Sequence, residues 1–535
     1  MKNSIKTALL FLLAGFLFGA CEKEDGGAAE TPLPAGAVEV RGTLIDIRTF
    51  AAGKEAFPQQ SDYIFDSDIE TLFDTPLSYA TGLLKARGAE AFRCGSAQTV
   101  YMATTSSGLN AAGWSATEKS FTVNDLTYHL YSYVCRTPGQ WIEIPDPADR
   151  EYATMLFAET LSVACDPVPG TVVAQVPELR GSTVSNASIA ILPNGNYVAS
   201  CTGVTDGAAL FVSKDRGATW SLLVENVTAL NHIRNYYNLF VFEGALYMMG
   251  ASAGNQNLLI SRSEDNGVTW TEPTDATNGV LLTGGFHSAA VPVVVYDGRL
   301  WRACETAGSD TSIKRPFVIS APVDADLLDA SSWTKSDNLI TDNEMIVNEK
   351  TVTEKTVTEL IEGNMVATSD GLYNILRASS RQTSQLAAKV TVTSPSKLTF
   401  SVSNDFITFP GGGKKFTIRY DEQSRRYWTL SNPAASKYVG MKNDGLYLNG
   451  ITRDLIRNRL VLCYSTDLIT WVPYKVVLEN EDPFFHGFQY VDWQFDGSDL
   501  VAVCRMACPE RRGLPYRQHD ANILSFLRIA DFRNL

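Results

Sequence analysis

The sequence predicts an all-β chain, an N-terminal β-sandwich followed by a longer body of repeated four-stranded units. Three observations predict it. No stretch carries the apolar period of a long amphipathic helix. Short alternating apolar runs are broken throughout by Asn-Gly, Asp-Gly and Glu-Gly pairs, the residues that tight hairpins require. A motif of the form Ser-x-Asp-x-Gly-x-Thr-Trp recurs in the second half, and recurrence at intervals marks a repeat architecture.

Residues 1–20 read as a signal peptide. Lys2 and Lys6 form a basic start, and Leu9 to Phe18 is an apolar run too short to span a membrane. Gly19-Ala20-Cys21 resembles a lipobox, which implies that Cys21 is lipidated and becomes the first mature residue. Glu22, Lys23, Glu24 and Asp25 follow, and an acidic stretch there resembles the surface-export signal of Bacteroidota lipoproteins. The resemblance implies a lipid-anchored protein exposed on the outer membrane. Residues 21–36, rich in Gly, Ala and Pro beyond Asp25, read as a flexible tether.

The roughly 500 residues that follow exceed one ordinary core and imply about two domains. The net charge of −14 argues against nucleic acid as a partner. It leaves room for an anionic sugar, because a basic pocket can sit inside an acidic protein. The cysteines form no CxxC pair, and the histidines form no HExxH or His-x-His pair, so neither a metal nor another cofactor is expected. Several cysteines sit inside apolar strand patterns and read as buried thiols, with disulfides left open.

Residues 37–168 carry strand-like runs at Val38–Ile45, Thr99–Thr104, Phe121–Val134 and Met155–Leu161 and no copy of the motif, and read as a β-sandwich accessory domain. Asp166-Pro167-Val168-Pro169-Gly170 marks the boundary. The repeats occupy 171–535. Full copies stand at Ser213–Trp220 and Ser263–Trp270, and Ser465–Trp471 is a copy without the Gly. In such a turn the Asp accepts from backbone amides, the Gly supplies a positive φ, and the Trp buries its ring. The motif resembles the Asp-box of the sialidase-like β-propeller superfamily, and its role there is structural.

Hairpins at Asn194-Gly195, Glu243-Gly244, Asp297-Gly298, Asp370-Gly371, Asp421-Glu422 and Asp496-Gly497 divide the body into six four-stranded blades, with 171–179 closing the last. Strand-like sequence at 385–410 leaves a seventh open. The near-duplication Thr351–Glu359 reads as an exposed β segment.

In such blades the starts of first strands and the ends of second strands share one face and converge on the axis. His287 and His486 each precede an Asp-Gly hairpin by ten residues, His232 precedes Glu243 by eleven, and Asn186 and Glu362 precede theirs by eight. Arg302, Arg377 and Arg505 end second strands, and Glu305 lies just beyond Arg302. His519 follows a loop carrying Arg511, Arg512 and Arg517, and Lys414 and Lys415 open the fifth blade.

Arginine forks bind carboxylates, so this set suits an acidic oligosaccharide or polysaccharide. That logic resembles the sialidases, which hold a sugar carboxylate with three arginines, although the chain has no Arg-Ile-Pro, and Arg180-Gly181-Ser182 matches that motif poorly. Gly487–Trp493 and His519–Asn522 resemble sialidase-like Bacteroidota lipoproteins of glycan use. The expected catalytic residues are His287, His486, Tyr490 and Glu362, with Tyr236 a second candidate acid. The expected substrate-binding residues are Arg302, Arg377, Arg505, His232, His519 and Asn186. A lyase-type His/Tyr/Arg site is favoured over sialidase-type hydrolysis, and a non-catalytic glycan-binding protein is the alternative.

Overall fold

The computed structural model describes residues 32–66, 72–73, 75–205, 207–224, 232–253, 257–307, 314–339, 357–380, 383 and 385–535. Among them there is no α-helix, and the chain is built of antiparallel sheets apart from one parallel strand pair near the N-terminus. The expected signal peptide, the Cys21 anchor, most of the tether and the start of the 351–359 run lie outside the described residues.

Two sheets form within 37–163. One orders Thr160–Val163, Ala37–Gly42, Ala89–Cys94 and Ile142–Glu143. The other has six strands, with Gln98–Thr104 between Met155–Ala158 and Leu126–Cys135. Alternation along the strands turns Val38, Val40 and Phe92 of the first sheet and Val100, Met102 and Leu156 of the second into one shared core.

Beyond the Pro-rich boundary, six sheets follow in chain order among the described residues. The first holds Ser185–Ile191, Tyr197–Thr202, Ala209–Ser213 and Ser221–Val224. The second runs from Ile233–Phe242 to Val280–Leu282, and the third from Phe286–His287 to Thr334–Lys335. The fourth begins with Glu359–Ala367 and takes in the strand-like stretch 385–410, as Leu386–Ser394 with Lys397–Thr399 and Phe406–Thr408 paired to it. The fifth runs from Thr417–Asp421 to Trp471–Glu479. The sixth joins Gly487–Asp496, Asp499–Ala507 and Ile523–Ile529, and its fourth strand is Thr171–Gln175 from the start of the body.

Buried polar groups near the innermost strands tie the sheets into a closed ring. Asp492 Oδ2 accepts from Ser188 Oγ at 2.7 Å and from the Ile189 amide at 3.0 Å, linking the sixth sheet to the first. Ser188 Oγ accepts from the Leu239 amide of the second sheet. Arg302 donates Nε to Asn238 Oδ1 at 2.8 Å, linking third to second. The Gly363 amide donates to Glu305 Oε1, the Ile418 amide to Asn364 Oδ1, and Trp493 Nε1 to Thr417 O. Each bond satisfies a group that burial would otherwise leave unpaired.

The Asp-boxes stand where third and fourth strands meet. Asp215 Oδ1 accepts from the Thr219 amide at 2.9 Å, and Ser213 Oγ accepts from the Gly217 amide at 2.7 Å. Gly217 has φ +92°, and a Cβ there would meet the Phe526 ring of the sixth sheet at 2.1 Å. The box thus pins its own hairpin and the seam between two sheets.

The innermost strands of the first, second, fourth and sixth sheets each carry a β-bulge, where the pairing register shifts. Within those bulges Asn186, Tyr236, Glu362 and Tyr490 have φ of +54°, +54°, +55° and +52°. A left-handed residue in a strand re-aims its side chain.

Candidate active site

The four bulge residues line one cavity of about 340 Å³. His287 of the third sheet and Lys415, just before the first strand of the fifth, complete the set, so each sheet contributes one chemically active or hydrogen-bonding side chain. Ser185, Asn235, Ser288 and Arg505 also line it.

Residues of the second strands stand behind this inner circle. His287 Nδ1 lies 2.9 Å from Glu305 Oε2, and Glu305 is fully buried, so the carboxylate fixes the orientation of the imidazole ring. The Tyr236 ring packs on His287 with centroids 4.1 Å apart. Arg377 Nη1 donates to Glu362 Oε2 at 2.8 Å and to the Tyr490 hydroxyl at 3.4 Å. Burial works to raise the Glu362 pKa, but Arg377, with His287 and Lys415, holds it below the ordinary carboxylate value. Glu362 is therefore an ionised base at neutral pH. Burial pulls Lys415 down to about 8 although Asp492 and Glu362 favour its charge. Its Nζ donates to Thr417 Oγ1 and to Val491 O, both at 2.7 Å.

Three guanidiniums converge on Tyr490. Besides Arg377, the Arg505 Cζ lies 4.8 Å and the Arg457 Cζ 5.6 Å from the centre of its ring. Arg505 donates Nη2 to His519 O at 2.9 Å, but its buried Nε has no hydrogen-bond partner among the described residues. The same holds for Nε and Nη1 of Arg457. Burial, with Arg377 and Arg505 nearby, brings Arg457 down to about 10. Buried donors of this kind, in a cationic cluster, suit a negatively charged acceptor.

The cavity therefore gathers His287, Glu362, Tyr490, Asn186 and Arg505, with Arg377 directly behind. His486 is not brought there. Its Nδ1 pairs with Asp482 at 2.9 Å, and it stands beyond the end of a strand that starts at Gly487. Arg302 is fully buried and donates to Asn238, Tyr236 O and Ala289 O, so it fastens one sheet to the next instead of meeting a ligand. Three residues further along, Glu305 occupies the place expected for it. His232 is half-exposed and pairs with Glu272 at 3.0 Å, outside the cavity. His519 stands behind Tyr490, ring centroids 6.2 Å apart, and its Nδ1 meets Asp520. Asn186 lines the cavity while holding the first sheet to the second: it donates to Thr202 Oγ1 and accepts from the Tyr236 amide. Arg180 pairs with Asp46 at 2.8 Å.

Sequence reasoning missed Arg457. It ends a long excursion between the second and third strands of the fifth sheet and follows no hairpin offset. Arg453 and Arg459 flank it without distinction in sequence.

No family model and no curated protein matches the chain. Among solved structures, an α-L-arabinanase from Penicillium chrysogenum in complex with arabinobiose is 12% identical, covers 68% of this chain and 98% of its own, and has a TM-score of 0.43. A protein of unknown function from Dyadobacter fermentans is 13% identical over 68% of this chain and 98% of its own, with a TM-score of 0.43. A Trypanosoma rangeli sialidase is 14% identical over 67% of this chain and 57% of its own, with a TM-score of 0.41. At such identities and scores these likenesses say nothing of what this chain acts on.

Proposed function

We propose that the protein is a surface glycan-active enzyme that cleaves a glycosidic bond at a carboxylate-bearing sugar. The observation that carries this reading is the cluster of Arg377, Arg457 and Arg505 around Tyr490, with three buried guanidinium nitrogens lacking partners among the described residues. A sugar carboxylate would supply the missing acceptors.

The geometry favours hydrolysis. In a 2-keto acid sugar the carboxylate sits on the anomeric carbon itself. A phenol held among the carboxylate-binding guanidiniums then stands beside the carbon to be attacked. Tyr490 acts as nucleophile, as Tyr does in the exceptional glycosidases that lack a carboxylate nucleophile. Glu362, held on the same Arg377 nitrogen, takes the phenol proton. His287 gives a proton to the departing oxygen; water then attacks the anomeric carbon, losing a proton to His287, and Glu362 returns its proton to Tyr490 as the phenol leaves.

One observation favours the elimination route instead: His287 is backed by the buried Glu305, which suits it to take the proton beside a uronate carboxylate that the arginines neutralise. Tyr490 would then protonate the leaving oxygen.

In the same reading the six sheets are the blades of a β-propeller, 37–168 is a β-sandwich accessory domain, and Cys21 carries the lipid that anchors the protein to the outer membrane. The test is to incubate purified protein with aryl glycosides of N-acetylneuraminic acid and of glucuronic acid, and with acidic polysaccharides. Released aglycone without absorbance near 235 nm supports hydrolysis, and absorbance there supports elimination. Binding without any cleavage would overturn the enzymatic reading in favour of a glycan-binding protein.

A further inference from the structure

The Arg457 guanidinium is buried and its Nε and Nη1 have no hydrogen-bond partner among the described residues, so the packing of the loop that carries it matters to its placement. Its chain neighbour Ile456 is buried in an apolar cluster with Tyr438, Tyr447, Phe484 and Leu514. The buried side chain of Leu83, from the N-terminal region, belongs to the same cluster. The seam continues in polar contacts. The Lys85 amide donates to Asp444 Oδ2 at 3.1 Å, the Leu514 amide to Asp46 Oδ1 at 3.4 Å, and the Val163 amide to Arg511 O at 2.8 Å.

A second line of contact runs from this seam to the cavity. The Tyr447 hydroxyl donates to Gln518 Oε1 at 2.9 Å, and Gln518 Nε2 donates to Leu455 O at 3.0 Å. The Gln518 and His519 carbonyls each accept from Gln489 Nε2 at 2.8 Å, one residue before Tyr490. The His519 carbonyl also accepts from Arg505. The loops 434–458 and 508–522 thus have one side against residues 37–168 and the other against the arginine cluster.

We propose that the N-terminal region is a clamp for the anion subsite: Leu83 is a positioning residue that acts through Ile456 on Arg457, and Tyr447 acts through Gln518 on Arg505 and Tyr490. This rests on the proposed carboxylate site for its meaning, but its physical content can be measured without a substrate. Apolar packing fixes the loop, and the loop holds each guanidinium where a carboxylate can meet it, so that little ordering remains to be done on binding.

The experiment uses the full chain with Leu83→Ala, Leu83→Met and Tyr447→Phe. Amide exchange is followed in residues 452–458, with Tyr197–Thr202 of the first sheet as reference. In Leu83→Ala, exchange at 452–458 rises about tenfold or more while the reference strand is unchanged, and Leu83→Met restores it. On the acidic aryl glycoside that the wild type cleaves, KM rises about tenfold with kcat nearly kept, as loss of one charge-assisted contact requires. Should Leu83→Ala fail to fold, Tyr447→Phe, which keeps the ring and removes the hydroxyl, carries the same KM test. Unchanged exchange in folded Leu83→Ala, or a fall in kcat at constant KM, overturns the clamp. A wild type that cleaves and binds no acidic sugar overturns the proposed function instead, and the exchange measurement then decides the clamp alone.

Discussion

One nitrogen of Arg377 touches both Glu362, at 2.8 Å, and the Tyr490 hydroxyl, at 3.4 Å, and so joins the fourth sheet to the sixth across the cavity. The two residues it joins sit in equivalent bulges with the same left-handed backbone. Glu362 and Tyr490, the proposed base and nucleophile, are thereby held on one guanidinium.

This separates Arg377, which has partners of its own, from Arg457, which the sequence did not single out. Arg377→Ala leaves Glu362 buried beside an empty space and should cost about 3–5 kcal/mol of stability in urea unfolding. Arg457→Ala breaks no hydrogen bond of Nε or Nη1 among the described residues and should cost clearly less stability than Arg377→Ala, while KM for an acidic glycoside rises tenfold or more. Equal losses of stability in the two variants would contradict the assignment of Arg457 to the ligand.

His287→Gln keeps a hydrogen-bonding side chain near Glu305 but removes the titrating ring. A fall in kcat of about 100-fold or more is expected, the usual worth of a general acid or base, with a melting temperature within a few degrees of wild type. A kcat that stays within threefold would remove His287 from the chemistry.

Lys415 gives the protein an alkaline signature. Its folded pKa is about 8, against 10.5 ordinarily. Below pH 8 it is charged in both states, and the cost of burying the charge is fully present. Between pH 8 and 10.5 the unfolded chain holds a proton that the folded chain has lost, so stability rises with pH. The difference between wild type and Lys415→Met should therefore shift towards wild type by about 3 kcal/mol across that window. A flat difference would show that Lys415 is not held as the structure has it.

Two hairpin glycines test what the Asp-box does. Gly195 has φ +84° and open space around it, so Gly195→Ala should cost about 1 kcal/mol from backbone strain alone. Gly217 has φ +92° and the Phe526 ring in the way, so Gly217→Ala should cost at least a further 1–3 kcal/mol as overpacking is added. Neither should alter turnover per folded molecule. Equal thermal unfolding of the two would deny the box its place in the seam.

The hairpins and boxes were legible because their chemistry is local. Glu243 and Asp297 have the positive φ that their neighbouring glycines advertise, and every expected hairpin lies where the first two strands of a sheet join. Counting back from a hairpin failed where strands differ in path. In the third sheet the inner strand is interrupted between His287 and Val294, and in the sixth it is continuous but bulged at Tyr490. The same ten residues therefore reach the cavity at His287 and overshoot it at His486. Arg302 fails for a related reason: the second strand runs on to Thr306, so the residue level with His287 is Glu305. Arg457 depends on tertiary packing of a long excursion, which no local pattern encodes.

The strand Thr171–Gln175 completes the sixth sheet against Ile523–Ile529. The hydrogen bond between Pro169 and Ser525 at that junction spans 356 residues. The first strand of the body to be synthesised must therefore wait for the last. Until residues 523–529 are made, a nascent chain presents an unpaired strand edge at each side of the open seam, and such edges recruit other chains. Loss of even the last dozen residues would remove most of the strand on which closure depends. Chains cut short before Ile523 should accordingly be recovered as aggregates or degradation products instead of as smaller folded bodies.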